Sequence, residues 1–506
     1  MPDLLEKLQN RENELAFIIA GDAAKLLEKP LFHYASSGGK FSMPCALCFY
    51  NKKINLFYQW TISLEGKKCI CWGHSSSTNF IDWMPEPLAL VPDHPSDESG
   101  CLCGSVLELN GKTLIAYTGI STEKDLCVQQ QCIAIGDGCK FEKLAENPVV
   151  TSRNIPFIYD KTKFCNPKIV ESNGIFYMMC TVTKTDKTGS IVIFSSTDLK
   201  NWTFTNSIEE KNFSTAKIWE LPEIFRLNET DILMFSYYNT KENKQKGLSK
   251  GYCSVYTKKS FDPQMMEFYT KNEENPDFDM RPIDFGIDFY APTVTELPDG
   301  RHIMIAMLQD GPEPYTPENY LWSGIMTIPR EIKIKNGKLY QQPIAELNEL
   351  RINRVCGEIA PKEKTEIEIL DGRHFELKIE VSVSETETGS MSLYICKNKT
   401  DDKYVEICYD AKKGTLCFDR SRTDFPGKIS KKEISVSPMP DGTLSFLCII
   451  DTTSIEIFIN EGEASFSNIF YADLHSNGVS VRSSMTVPIM FNYYHLGEPV
   501  NLQNTI

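Results

Sequence analysis

The feature that most constrains the fold of this chain is an apolar, β-branched and aromatic segment that recurs about every sixty residues. The starts of successive segments are separated by 59, 62, 56 and 71 residues, and each segment follows a short polar turn. The segments are Ile54–Trp60, Thr113–Ile120, Ile175–Thr181, Asp231–Tyr238 and His302–Gln309. Five such β units predict a five-bladed β-propeller, in which small sheets surround a central channel. A pair of packed sheets is the alternative.

The two ends of the chain have different patterns. Residues 4–28 carry apolar side chains at helical spacing, which predicts a short helix or helix pair. Beyond about residue 355, strands alternate apolar and polar residues between charged turns, as two packed antiparallel sheets require. The predicted organisation is all-β, with a helical segment over 1–30, a propeller over 31–345, a linker over 346–360 and a β-sandwich over 361–506.

Composition and charge exclude several classes of protein and of binding partner. Of the 506 residues, 41% are hydrophobic and 24% are charged, which excludes a disordered or collagen-like chain. Fifty-three basic residues against 68 acidic ones give a formal net charge of −15. Nucleic acids and anionic membranes are bound through clustered lysine and arginine, so we expect neither as a partner. No basic and apolar leader opens the sequence, and we expect a cytoplasmic protein.

The cysteines do not form a recognisable metal motif. There are seventeen, and Cys45 with Cys48 forms the one C-x-x-C. No second pair follows at zinc-ribbon spacing, and none of the seven histidines lies in H-E-x-x-H. We therefore expect free, mostly buried thiols, with no metal and no cofactor. A redox or metal role for Cys45 and Cys48 is the alternative.

A series of motifs along the chain is more specific than the strand pattern. The motifs are Trp72–Asp93, Glu98–Val106, Ser195–Phe204, Trp219–Phe225, Asp284–Pro292, Trp322–Glu331, Leu416–Thr423 and Ser454–Ser467. In this order they resemble glycoside hydrolase family 32, which contains invertases, sucrose-6-phosphate hydrolases and fructanases. The resemblance implies a five-bladed propeller with a sugar pocket on its axis, a C-terminal β-sandwich, and hydrolysis of β-fructofuranosides such as sucrose.

The resemblance also assigns positions to the catalytic groups. In such retaining glycosidases one carboxylate attacks the anomeric carbon and a second carboxylic acid protonates the leaving oxygen; in this family a third acid holds fructose hydroxyls. Glu220, in WELP, occupies the acid/base position. Met43, in SMPCAL, stands where N-D-P-N-G-L carries the attacking aspartate. In FCNPK, Asn166 and Cys165 stand where F-R-D-P-K carries the third acid and an arginine.

Further residues are expected at the pocket on the same basis. Gln59, Trp60 and Trp72 match positions of the pocket wall, and Cys103 stands where the family has a serine. Asp288 and Tyr290 are candidates for the pocket or its rim. The expected ligand-binding residues are therefore Gln59, Trp60, Trp72, Cys103, Cys165, Asp288 and Tyr290.

The loss of two acids predicts that hydrolysis is impaired, because a thioether and an amide carry no charge. The first hypothesis is a carbohydrate-binding pseudoenzyme whose partner is a small fructoside. A second is an active β-fructofuranosidase with a displaced nucleophile, for which the candidates are Asp82, Asp93, Asp97 and Asp160. The third is a structural or regulatory protein that forms a homodimer or pairs with an active paralogue.

Overall fold

The computed structural model is almost entirely β. It describes residues 4–22, 28–35, 38–123, 126–209, 216–241, 251–258, 260–262, 267–269, 280–308, 320, 322–361, 367–398 and 400–497. The α-helix α1 (Leu4–Ala20) precedes the strands, and its buried residues Leu8 and Leu15 pack against the first sheet. None of the described helices is long and apolar enough to span a membrane.

The first twenty-four strands belong to five sheets and one hairpin. The first two sheets contain β1 (Gly39–Tyr50), β2 (Lys53–Leu64), β3 (Lys67–Ser77) and β4 (Met84–Leu90), then β5 (Gly100–Leu109), β6 (Lys112–Glu123), β7 (Leu126–Gly136) and β8 (Phe141–Lys143). The third contains β9 (Tyr159–Ser172), β10 (Ile175–Lys184), β11 (Gly189–Ser196) and β12 (Thr203–Ile208).

The fourth and fifth sheets complete this half of the molecule. The fourth contains β13 (Ala216–Leu227), β14 (Thr230–Asn239), β15 (Gly251–Lys258) and, after the hairpin of β16 (Ser260–Asp262) and β17 (Glu267–Tyr269), β18 (Arg281–Pro282). The fifth contains β19 (Phe289–Glu296), β20 (His302–Leu308), β22 (Ile325–Met326), β23 (Arg330–Lys335) and β24 (Lys338–Pro343), while β21 (Trp322–Ser323) pairs in parallel with β1.

The first strands of these sheets close into a ring. β1 contacts β5, β5 contacts β9, β9 contacts β13, β13 contacts β19, and β19 contacts β1 again. The five sheets are therefore the blades of a propeller, and their first strands are its inner strands. The recurrent segments of the sequence lie in the second strands, β2, β6, β10, β14 and β20, which confirms the predicted fold. Those strands are apolar over most of their length because neighbouring blades cover both of their faces.

The remaining strands form a β-sandwich. After a 3₁₀ turn at Ala345–Leu350 they are β25 (Arg351–Ile359), β26 (Ile367–Asp371), β27 (Phe375–Ser382), β28 (Ser390–Lys397), β29 (Val405–Asp410), β30 (Thr415–Asp419), β31 (Lys431–Ser435), β32 (Thr443–Asp451), β33 (Ser454–Ile459), β34 (Ala464–Ile469), β35 (Gly478–Ser483) and β36 (Ile489–Leu496). They make two six-stranded sheets of order β25-β36-β27-β32-β33-β34 and β26-β35-β28-β29-β30-β31. Apolar side chains from both sheets share one core.

Buried charged groups join the propeller to the sandwich. A charge removed from water is tolerated when an opposite charge and hydrogen bonds surround it. Three groups of this kind cross the interface: Arg330 with Asp284 and Glu456, Asp288 with Arg420, and His33 with Asp451 and Glu456. These contacts orient the two halves of the chain relative to each other.

Candidate functional site

All five inner strands carry a β-bulge at an equivalent position. At each bulge the inner strand has one more residue than the second strand it pairs with. The residues at the bulges are Pro44, Gly104, Pro167, Pro222 and Pro292. Proline donates no hydrogen bond to a sheet, and bulges are among the few places in a strand that accept it. A bulge also redirects neighbouring side chains, and Met43, Asn166 and Glu220, just before three of these prolines, line the cavity described below.

In three blades the residue before the bulge proline has a left-handed backbone. The φ angles are 55° for Asn166, 51° for Leu221 and 57° for Ala291. A non-glycine residue in this conformation costs roughly 1–2 kcal/mol. The packed inner strands hold the strain, and the residues that precede two of these positions, Cys165 and Glu220, line the cavity described next.

A cavity of about 190 Å³ lies among the bulges of the first four blades. The lining residues include Met43, Gln59, Gln129, Lys163, Cys165, Asn166, Thr181, Trp219 and Glu220. The structure therefore brings together Met43, Asn166 and Glu220, the three residues that the sequence placed at catalytic positions. It also places Gln59 and Cys165 in the same wall.

Glu220 is the one carboxylate among the described residues that line this cavity. Burial raises the pKa of the Glu220 carboxyl above its usual range, while a hydrogen bond from Tyr290 and the charge of Lys163 oppose the rise. The Tyr290 hydroxyl donates that hydrogen bond to Oε2 of Glu220. The Tyr252 ring packs edge-on against Tyr290, with the ring centres 5.0 Å apart. A carboxyl group with a raised pKa in a cavity is suited to donating a proton.

Asn166 is held in place by several polar contacts. Its backbone N–H donates to Oγ1 of Thr118 at 2.9 Å, and its Oδ1 lies 3.2 Å from Sγ of Cys165 and 3.4 Å from Oγ1 of Thr181. The side chain is 7% exposed. At this position the cavity therefore has a neutral, well-anchored amide, and at Met43 it has a thioether. Neither group carries charge.

Two tryptophans that were expected in the pocket wall do not reach the cavity. Trp60 is buried in the core of blade one, where its indole N–H donates to the carbonyl of Gly38 at 2.8 Å. It follows Gln59 on β2, and successive side chains of a strand point to opposite faces. Trp72 shares the face of Gln59, but it lies one strand further from the axis and packs between blades one and two. The prediction of a wall position is wrong for both tryptophans.

Asp288 was expected at the pocket or its rim, and this prediction is also wrong. The carboxylate is 2% exposed and pairs with Arg420 of the sandwich at 2.7 Å. The backbone N–H of Ile469 donates to the same oxygen at 2.9 Å. Asp288 therefore compensates a buried charge at the interface between the two halves of the molecule. Tyr290, two residues later, does not line the cavity but reaches its edge through the bond to Glu220.

Cys103 lies directly behind the cavity wall. Its sulfur is 3.7 Å from Oε1 of Gln59 and 3.9 Å from the carbonyl oxygen of Met43, and its side chain is inaccessible to solvent. Cys45 touches Cys103 from the neighbouring blade, and Cys48, its partner in the C-x-x-C, packs at the edge of the same apolar cluster. All seventeen cysteines are free thiols.

Sequence reasoning missed eight of the lining residues, which are Leu102, Gln129, Lys163, Thr181, Val182, Thr183, Ile218 and Trp219. A signal for one of them was present. Thr181 on β10 pairs with Cys165, just before the bulge of β9. Gln59 on β2 has a similar place, because it follows Tyr58, which pairs with the bulge residue Pro44. In these two blades the polar residue just beyond the bulge on the second strand lies in the cavity wall, whereas Thr118 and Ser236, which pair beside the bulges of blades two and four, do not line it.

Comparisons with known proteins agree with this architecture. The family models described as "Glycosyl hydrolases family 32 N-terminal domain" and "Glycosyl hydrolases family 32 C terminal" match residues 33–343 and 346–493. The sucrose-6-phosphate hydrolase of Escherichia coli is 27% identical over 91% of this chain and 93% of its own length. The raffinose invertase of Escherichia coli is 25% identical over 89% of this chain and 91% of its own.

Solved structures extend the similarity to the whole fold. The sucrose-6-phosphate hydrolase from Lactobacillus gasseri superposes with a TM-score of 0.82 at 21% identity and covers 96% of each chain. The Bombyx mori family 32 β-fructofuranosidase gives a TM-score of 0.80 at 24% identity, with coverage of 97% of this chain and 99% of its own.

Proposed function

Because the chain belongs to glycosyl hydrolase family 32, we propose that its cavity binds a β-fructoside and that the protein is a carbohydrate-binding pseudoenzyme. One observation carries the proposal. Met43, Asn166 and Glu220, which match the three acidic positions of the family, converge on one cavity, and Glu220 is the one carboxylate among its described lining residues.

The chemistry of the family explains why this matters. A retaining glycosidase needs two carboxyl groups about 5–5.5 Å apart, one to attack the anomeric carbon and one to protonate the leaving oxygen. The thioether of Met43 cannot form the glycosyl ester, and the amide of Asn166 cannot offset the positive charge of the transition state. Loss of a nucleophile commonly lowers turnover by roughly 10⁴–10⁶-fold. Glu220 alone can donate a proton but cannot complete the reaction.

The same cavity keeps the groups that a sugar needs for binding. Gln59, Gln129, Asn166 and Thr181 present amide and hydroxyl groups in its wall. Such groups both donate and accept hydrogen bonds, which suits the hydroxyls of a sugar ring. Binding therefore does not depend on the two missing acids in the way that hydrolysis does.

The four aspartates considered as replacement nucleophiles are engaged elsewhere. None of them is among the described residues that line the cavity. Asp93 and Asp97 hold Lys143 at 2.6 and 2.7 Å, Asp160 accepts a hydrogen bond from the hydroxyl of Thr162, and Asp82 accepts one from the side chain of Asn79. An inverting route would need a base roughly 6.5–9.5 Å from Glu220 across the sugar ring. These contacts favour the pseudoenzyme over a hydrolase with a displaced nucleophile.

Two assays on the purified protein test the proposal. Isothermal titration with fructose and sucrose measures binding, and a coupled assay measures fructose release from sucrose, sucrose 6-phosphate and raffinose beside a Glu220→Gln control. We expect saturable binding and no release above the control. Release that disappears in Glu220→Gln would establish a hydrolase. Absence of both binding and release would assign the chain a structural or partner role.

A further inference from the structure

Two thiols meet behind the wall of the cavity. Cys45 on β1 of blade one and Cys103 on β5 of blade two have their sulfur atoms 2.7 Å apart. Both side chains are at most 1% exposed. A disulfide bond is about 2.05 Å long, so a small movement of either side chain brings the sulfurs to bonding distance. The two thiols are thus positioned for a covalent link between neighbouring blades.

Both members of this pair depart from the motifs of the family. Cys45 stands at the second asparagine of N-D-P-N-G, and Cys103 stands at a serine. Two separate replacements by cysteine therefore fall on side chains that contact each other, 58 residues apart in the sequence. Plain packing would accept any small side chain at either position, whereas a disulfide requires cysteine at both.

We propose that Cys45 and Cys103 are a reversible redox pair, which a hydroperoxide converts into a disulfide that joins the inner strands of blades one and two. We assign the reaction with the oxidant to Cys103 because this sulfur, although buried, lies directly behind Gln59 and Met43, which line the cavity through which the oxidant enters. Burial, with the adjacent Cys103, raises the pKa of Cys45 well above its usual range. Cys45 therefore keeps its proton until the second step.

The oxidation has two steps, both of which are ordinary chemistry of thiols and peroxides. The Cys103 sulfur attacks the hydroperoxide, takes one oxygen as a sulfenic acid and releases an alcohol, or water when the oxidant is hydrogen peroxide. The Cys45 sulfur then attacks the sulfenic sulfur, the S–S bond forms, and the hydroxyl leaves as water with the Cys45 proton. The two thiols lose two protons and two electrons, which the peroxide accepts. A dithiol reductant reverses the change.

The disulfide also changes the cavity wall. In the reduced pair, the Cys103 thiol lies beside Oε1 of Gln59 and the carbonyl oxygen of Met43. A disulfide has no hydrogen to offer either acceptor, so Oε1 of Gln59 loses its contact with a thiol hydrogen and is left to accept a hydrogen bond from a ligand. We expect oxidation to alter the affinity for a sugar. This consequence rests on the proposed function, whereas formation of the disulfide does not.

Peptide mapping of the intact protein tests the pair directly. Protein treated with hydrogen peroxide or with dithiothreitol is denatured, alkylated and digested, and its crosslinked peptides are identified by mass spectrometry. We expect a peptide joining Cys45 to Cys103 after peroxide that is absent after dithiothreitol. Cys103→Ser, which restores the residue of the family, must abolish it. Cys101→Ser, an equally buried position on the same strand, must keep it.

Thermal unfolding supplies a second measurement. A crosslink that closes a loop of this length raises the melting temperature by a few degrees, so oxidised wild type and Cys101→Ser must melt higher than their reduced forms, and Cys103→Ser must not. Alkylation of both Cys45 and Cys103 after peroxide, or a sulfinic acid on Cys103 in place of the crosslink, would overturn the proposal. Peptide mapping of the wild-type protein shows whether the crosslink forms even where a variant fails to fold.

Titration with fructose before and after oxidation separates the two proposals. A crosslink with unchanged sugar affinity would refute the effect on the cavity. A crosslink in a protein that binds no sugar in either state would refute the proposed function and leave the redox pair standing.

Discussion

Glu220 lines the cavity and accepts a hydrogen bond from Tyr290, while Met43 and Asn166 in the same wall carry no charge. Its raised pKa arises from burial rather than from a nearby carboxylate, since the other described residues that line the cavity are neutral or basic. In a complete family member the anionic nucleophile would stabilise the transition state that Glu220 helps to form. If the proposed function is right, the absence of hydrolysis at the residue scale arises from two uncharged side chains and can be tested by introducing carboxylates at those positions.

Restoring both acids should restore hydrolysis. In the double variant Met43→Asp with Asn166→Asp, a nucleophile and a third acid face Glu220 in the same cavity. We expect fructose release from sucrose to rise by roughly 10²-fold or more, a fraction of what a nucleophile contributes. The matched control is Met43→Asn with Asn166→Asp, which has similar shape but no nucleophile, and it should stay inactive. A folded double variant without release would mean that other parts of the cavity wall have also diverged.

The inner strands show how the elements build the site. Every inner strand has its bulge at the same place, and four of the five use proline there, but blade two uses Gly104. The reason is steric. A Cβ atom on Gly104 would lie 1.9 Å from the carbonyl oxygen of Ala116 on the adjacent strand, closer than any real contact. The backbones of β5 and β6 approach each other at the point where Cys103 packs behind the cavity.

Gly104→Ala should therefore destabilise the protein strongly. Because the clash is with backbone, the two strands must separate, and we expect a loss of about 3 kcal/mol or more in the free energy of unfolding. Gly111→Ala is the control. Gly111 lies in the turn between the same two strands with φ of 73° and no atom near its missing Cβ, so the cost there should be about 1 kcal/mol. Urea denaturation followed by tryptophan fluorescence measures both. Equal losses of stability in the two variants would contradict the close approach of the β5 and β6 backbones at Gly104.

The element scale also shows what the sequence could predict. The second strand of each blade could be predicted from the sequence because neighbouring blades cover both of its faces. Each such strand is therefore a continuous apolar run, and the run recurs about every sixty residues. Gln59 and Trp60 could have been separated by strand alternation alone, which sends one to the cavity and the other to the core. The structural role of Asp288 could not be predicted in this way, because its partner Arg420 lies 132 residues away in the chain and in another sheet. A sequence motif indicates that a residue is important, but the contacts of that residue in the fold determine whether its role is catalytic or structural.

At the scale of the whole molecule, the propeller and the sandwich are joined through ionised groups that no solvent reaches. His33, just before the first blade, lies 2.8 Å from Asp451 and 2.9 Å from Glu456 of the sandwich. Burial by itself would lower the pKa of His33, but hydrogen bonds and charges of the two carboxylates raise it to about 9. The same contact lowers the pKa of Asp451 despite its burial. The protonated imidazole thus bridges two carboxylates at the interface.

This bridge predicts a definite dependence of stability on pH. The pKa of His33 is about 9 in the folded protein and about 6.5 when unfolded, so its contribution is complete below about pH 6.5 and is lost as the pH rises through 9. We expect His33→Gln to lower the free energy of unfolding by on the order of 3 kcal/mol more at pH 6 than at pH 10. Urea denaturation of wild type and variant across this range gives the difference.

The control for this prediction is His475→Gln. His475 also contacts a carboxylate, Asp473 at 3.1 Å, but its side chain is 94% exposed. Solvent screens such a pair, so its loss should change the free energy of unfolding by less than about 0.5 kcal/mol at every pH. If the two variants behaved alike, or if the His33→Gln difference did not vary with pH, the imidazole would not be charged in the folded protein. The interface would then depend on Arg330 and Arg420 for its buried positive charge.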